Sequence, residues 1–270
     1  MTDLSPAMTD ITEFTFTSEG ATIYGFRAAA DAATRLDASA ILCHGLTNHH
    51  EDAPMFGLLS RRLVEAGVDV YMFDFFGSGR SDGIFRDKTW STMRQNLADA
   101  LDAIEATFSL PPGRTALVGR SVGASIVANF LKDPRIGCSV LASPVVLLRM
   151  QFEPYRSPAE NGYVRMPESV ERSGQIKGDW ILTEQFFDEL EQAERDIIAA
   201  ATGAERVLVM HCDGDPKVKT KHSTTLLELL GEPKRYLSVA DGDHYYTGHE
   251  EQAAEATVSW VIEQLDAAVR

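Results

Sequence analysis

A strand, a glycine-bounded turn and a helix follow one another without a spacer in residues 115–131. The apolar run Thr115-Ala116-Leu117-Val118 leads into Gly119-Arg120-Ser121-Val122-Gly123, and residues 124–131 then read as helix. This G-x-S-x-G junction is the pattern of a nucleophile elbow, a sharp turn that holds its serine strained and exposed at a strand end. It restricts the chain to folds in which a strand of a covered sheet passes directly into a helix. By itself the pentapeptide is also the composition of an ordinary turn, so the rest of the chain decides its meaning.

A serine hydroxyl at its free pKa is a weak nucleophile; it needs a histidine base, and the base needs a carboxylate to orient it. On the fold that carries this elbow the order along the chain is Ser, then Asp or Glu, then His. The buried-strand run 206–210 opens into His211-Cys212-Asp213-Gly214-Asp215-Pro216, and the run 235–239 opens into Ala240-Asp241-Gly242-Asp243-His244. Ser121, Asp215 and His244 fit that order and are the expected catalytic set. The strand-like run 40–43 ends at His44-Gly45-Leu46-Thr47. Its Leu46 N–H, together with the Val122 N–H that follows the serine, supplies two expected donors for the oxyanion of an acyl-transfer intermediate.

These motifs, spread from about residue 41 to residue 244, resemble the α/β-hydrolase superfamily. Within it, His44-Gly45-Leu46-Thr47 and the D-x-x-G-x-G-x-S run from Asp74 to Ser81 are similar to the serine-aminopeptidase-type, monoglyceride-lipase and cinnamoyl-esterase branch. The resemblance makes the Asp74–Ser81 segment a structural turn beside the active site. It also favours Asp215 over Asp213 as the acid, because the family places the acid before a short loop ending in Val, here Val218. The sequence departs from the family in three places. Arg120 stands where many relatives carry His, Cys212 where a Gly often follows the strand histidine, and Ala124 where a second Gly is common. Arg120 sets a cation beside the nucleophile turn, for pairing with a structural carboxylate or for tuning substrate choice. The lipase-type HGGG loop is absent, which argues against large tertiary-alcohol esters.

Other polar residues have plainer readings. His249 opens the last helix and reads as a surface histidine, His211 as a packed strand-end residue, and Asp241 and Asp243 as solvated turn residues. His49 and His50 are adjacent, but no third ligand has recognisable spacing, so no metal and no cofactor is expected. Cys43, Cys138 and Cys212 are odd in number and lie in or beside buried strands, as thiols of a reduced cytosol do.

The net charge of −15 and pI near 4.8 disfavour nucleic acid and anionic membranes as partners. The first residues, Met1 to Pro6, carry neither a basic nor an apolar leader region, and no apolar run approaches the roughly 18 residues of a bilayer span. A cytoplasmic protein is expected, its oligomeric state open, a homodimer included.

Residues 13–18 and 22–28 alternate as a hairpin with one wet face, and from residue 40 strands alternate with helices to a closing helix at 252–269. The expected fold is α/β: the α/β-hydrolase fold as one domain over 1–270, with a mostly parallel sheet of about eight strands covered on both faces. Residues 146–205 are too many for a one-helix crossover and read as a lid or cap, partly helical from 183 to 200. Its aromatics include Phe152, Tyr155, Tyr163, Trp180, Phe186 and Phe187. Taken singly each is an anchor to the core; as a group, Phe152, Tyr155, Trp180, Phe186 and Phe187 are the expected substrate-binding residues. The expected substrate is a small-molecule carboxylic ester of a small or medium acyl group, cinnamoyl-type included, cleaved through an acyl-enzyme. A thioesterase or acyltransferase using the same triad is the alternative, and a non-catalytic ligand binder is the alternative of another class.

Overall fold

The central strands are apolar on both faces, and this forces helices onto both sides of the sheet. The structure, a computed structural model, describes residues 11–50, 54–110, 112–156, 164–165, 178 and 180–267. Tyr163 and the amino-terminal residues read above for a leader lie outside the described residues.

Eight strands form one sheet in the order β1 (Ile11–Ser18), β2 (Ala21–Ala28), β4 (Asp69–Phe73), β3 (Ser39–Cys43), β5 (Thr115–Arg120), β6 (Ile136–Ala142), β9 (Val207–Cys212), β10 (Lys234–Val239). The β1–β2 and β2–β4 pairs are antiparallel, and every later pair is parallel. Two short strands, β7 (Val164–Arg165) and β8 (Ile181–Leu182), pair with each other apart from this sheet. Alternation along β3 shows how the layers arise. Ala40 and Leu42 join a core built with α1 (Pro54–Glu65) and α8 (Glu250–Ala267), while Ile41 and Cys43 join the core of the opposite face. That face is covered by α2 (Trp90–Phe108), α3 (Val122–Ala128) and α6 (Leu190–Ala201). This is the expected α/β-hydrolase fold. Between β9 and β10 runs α7 (Lys221–Leu229).

In the interval after β6, the stretch expected to be partly helical, 183–200, forms two helices, α5 (Glu184–Asp188) and α6, meeting at Glu189. α4 (Leu148–Phe152) begins the interval. The break has a partner elsewhere: the Glu189 carboxylate accepts both the Ser91 N–H and the Ser91 hydroxyl, each at 2.8 Å. A carboxylate at the first turn of α2 satisfies an orphan helix donor and complements the positive end of the helix dipole.

Candidate active site

Ser121 joins β5 to α3 with φ 56° and ψ −126°, a backbone conformation that costs an L-residue about 1–3 kcal/mol. Its N–H donates to the Ala142 carbonyl at 2.9 Å, and its own carbonyl accepts from Ala124 and Ser125 as α3 begins. The flanking glycines serve a different need. A side-chain carbon on Gly123 would stand 2.2 Å from the Cys43 carbonyl oxygen and 2.3 Å from that of His44. The strain therefore lies on the serine, and the glycine lets the helix start press against the loop after β3. A carbon placed on Gly45 in that loop would stand 3.4 Å from Ser121 Cβ, so the loop borders the serine directly.

Asp215 and His244 meet after β9 and β10. His244 Nδ1 donates to Asp215 Oδ2 at 2.7 Å, with both side chains nearly inaccessible. The other carboxylate oxygen, Oδ1, accepts the N–H groups of Lys217 at 2.8 Å and Val218 at 2.9 Å. Burial opposes ionisation of Asp215, but hydrogen bonds from His211 and His244 outweigh it and hold the acid well below the usual carboxylate range. His244 is shifted down by burial, against the pull of Asp215, with Arg120 and Lys217 adding to the fall. A neutral imidazole whose Nδ1 proton is engaged keeps its lone pair on Nε2. Asp213 is exposed and accepts from the Ser238 hydroxyl at 2.5 Å, away from this pair. His211 is a packed strand residue, bonded to Ser223 Oγ at 2.6 Å and the Val218 carbonyl at 2.9 Å. Its Nε2 also stands 3.5 Å from Asp215 Oδ2, a second support for the acid that the chain spacing does not announce.

The loop after β3 is held by its carbonyls. His44 Nε2 accepts the Phe75 N–H at 3.0 Å, which fixes the proton on Nδ1, and that proton is donated to the Gly45 carbonyl at 2.7 Å. Burial pushes His44 down to about 3, so it stays neutral. Asn48 N–H also donates to the Gly45 carbonyl, at 3.2 Å. Because the peptide is planar and trans, anchoring that oxygen directs the Leu46 N–H to the opposite side. Lys88 is 1% exposed and donates to the Leu46 carbonyl at 3.0 Å and to Ser78 Oγ. Its burial lowers the amine to about 7. Among the described residues, no protein acceptor takes the Leu46 or Val122 N–H.

The partners of Lys88 and Asn48 are tertiary and carry no sequence signature. The same is true of Asp74, which supplies the third group beside His49 and His50 that spacing did not reveal. Its Oδ1 accepts from His50 N–H at 2.8 Å and Nδ1 at 2.9 Å, and its Oδ2 accepts from Arg80 N–H at 2.9 Å. A carboxylate so engaged holds the turn after β4 against the loop after β3. The three thiols are buried, and burial pushes Cys138 and Cys212 up to about 12 and Cys43 higher.

Phe186 is wholly inaccessible and packs on Trp90, Phe152 and Phe187, with ring centres 5.2–5.6 Å apart. Phe152 and Phe187 are nearly as buried and belong to the same core. Buried to this degree, the three rings pack together against Trp90 of α2, as anchors of the interval do. Trp180, partly exposed, lies 5.6 Å from Phe85, and Tyr155 is exposed. Arg120, expected to pair with a carboxylate or to tune substrate choice, donates to Asn48 Oδ1 and to the His244 carbonyl.

A family model described as serine aminopeptidase, S33 matches residues 34–201. The uncharacterized protein YfhR of Escherichia coli O157:H7 is 24% identical over 265 residues, 97% of this chain and 83% of that protein. Among solved structures, ferulic acid-bound Est1E from Butyrivibrio proteoclasticus superposes with a TM-score of 0.75 at 20% identity, covering 94% of this chain and 99% of its own. The α/β hydrolase GrgF from Penicillium sp. sh18 gives 0.77 at 16% identity, covering 95% and 99%. At these identities the structural likeness concerns the fold.

Proposed function

The chain belongs to the serine aminopeptidase S33 family of α/β hydrolases, and we propose that it cleaves a carboxylic ester of a small or medium acyl group through an acyl-enzyme. The observation that carries the reading is the 2.7 Å Asp215–His244 bond, which leaves a basic imidazole nitrogen on the sheet edge that also holds the strained Ser121. His244 Nε2 takes the Ser121 proton as Oγ attacks the acyl carbon, while Asp215 holds the tautomer and steadies the imidazolium that forms. The Leu46 and Val122 amides receive the oxyanion. The same proton passes from His244 to the departing alcohol, and water repeats the two steps to release the acid. No step calls for a cofactor. Likeness to Est1E, whose structure holds ferulic acid, supports including aromatic acyl groups. Trp180 and Tyr155 are the aromatics proposed to meet the acyl group, and residues 146–205 the cap that carries them.

The test is labelling by a fluorophosphonate probe with mass mapping, run beside p-nitrophenyl, feruloyl and acyl-CoA substrates. An adduct on Ser121 with turnover of esters is the expected result. Ser121→Ala is expected to lower kcat about 10⁶-fold with the fold intact. Near wild-type ester turnover by that variant sinks the assignment, and turnover confined to acyl-CoA replaces ester by thioester.

A further inference from the structure

Arg120 closes β5 one residue before the serine, yet it is only 1% exposed. Its Nη2 donates to Asn48 Oδ1 at 2.7 Å, and its Nη1 donates to the His244 carbonyl at 3.3 Å. The guanidinium carbon stands 4.9 Å from the centre of the Tyr245 ring. Three chain segments thus meet on one planar group: the serine turn, the loop after β3 and the loop after β10.

Resting on the ester-hydrolase reading, we propose that Arg120 is a positioning residue that fixes the spacing between the oxyanion donors and the histidine base. Acyl transfer needs those two parts in register, since a misplacement of about 1 Å can lower the rate about 10²-fold. Each end of the tie reaches the part it must hold. Asn48 is bonded back to the Gly45 carbonyl, the oxygen whose anchoring directs the Leu46 N–H. The other acceptor is the backbone of His244 itself. Asn48 Oδ1 and the His244 carbonyl oxygen are amide oxygens, and a guanidinium, which only donates and does so in a rigid fork, suits them; a lysine ammonium is a point donor. Burial leaves the side chain no face for a substrate. That separates positioning from substrate recognition, which requires contact.

The test compares wild type, Arg120→Gln, Asn48→Ala and the double variant in kcat and KM on one p-nitrophenyl ester. Fluorophosphonate labelling of wild-type Ser121 serves as the control and thermal melts report folding. Either single change is expected to lower kcat about 10²-fold with KM altered less than about threefold. The double variant is expected to lose little more than the worse single, because the two residues form one tie. Multiplicative losses, a defect carried by KM, or wild-type kcat in Arg120→Gln overturns the role. Should Arg120→Gln fail to fold, Arg120→Lys takes its place, with kcat expected about tenfold down because one ammonium does not span both acceptors; wild-type kcat there overturns the role equally. A wild type that neither labels nor turns over sinks the ester reading and the positioning role with it. A wild type that does both, beside variants of undiminished kcat, overturns the positioning role alone.

Discussion

The Gly45–Leu46 segment after β3 and the Asp215 carboxylate after β9 are held in opposite electrical senses. Gly45 and Leu46 are gripped through their oxygens, by His44 on the Gly45 carbonyl and Lys88 on the Leu46 carbonyl, with Arg120 acting on Asn48 Oδ1 beside them. Across the serine, an acceptor does the holding, as the Asp215 carboxylate collects the N–H groups of Lys217, Val218 and His244. Each arrangement leaves the other kind of group unspent. The first leaves backbone N–H groups, suited to an oxyanion; the second leaves an imidazole lone pair, suited to a proton. The polarity of these supports thus matches the group each segment leaves open, amide N–H groups on one and the His244 lone pair on the other.

Breaking the acceptor side should have the larger effect. Asp215→Asn is expected to lower kcat about 10⁴-fold, because an amide no longer enforces the tautomer or balances an imidazolium. Steady-state kinetics on the preferred ester reads this, and a loss below tenfold would remove Asp215 from the role. On the donor side, Lys88→Met should lower kcat about tenfold to a hundredfold by releasing the Leu46 carbonyl. Its melting temperature should hold, since the desolvation cost of a buried ammonium disappears together with its bonds. A fall in both together would make Lys88 a stabilising residue instead. The smallest effect sharpens the contrast: Asp213→Asn should change kcat less than about twofold, as expected of a surface substitution away from the imidazole. A large loss there would move the acid from Asp215 to Asp213.

Most of the fold is legible along the chain because it rests on local pattern. The hairpin, read at 13–18 and 22–28, and the closing helix, read at 252–269, each lie within two residues of β1, β2 and α8. Ser121, Asp215 and His244 are visible because they lie one, three and five residues beyond the ends of β5, β9 and β10, which places all three past the carboxyl ends of parallel strands of one sheet. Lys88 gives no such signal. Its partners Leu46 and Ser78 lie 42 and 10 residues away. Arg120 is visible as an oddity, but its two acceptors lie 72 and 124 residues distant in opposite directions. The break at Glu189 escapes for a related reason: helical spacing runs on through it, and only the first turn of α2, which it caps, explains the interruption.

The backbone of Ser121 carries one more consequence. A position held at φ 56° favours the one residue without a Cβ, so glycine there would relax the chain while deleting the hydroxyl. On the proposed mechanism, a change toward greater stability and a change toward inactivity at this site are the same change. The serine is thus retained against the fold's own preference, and a screen that selected only for thermal tolerance would tend to erase it.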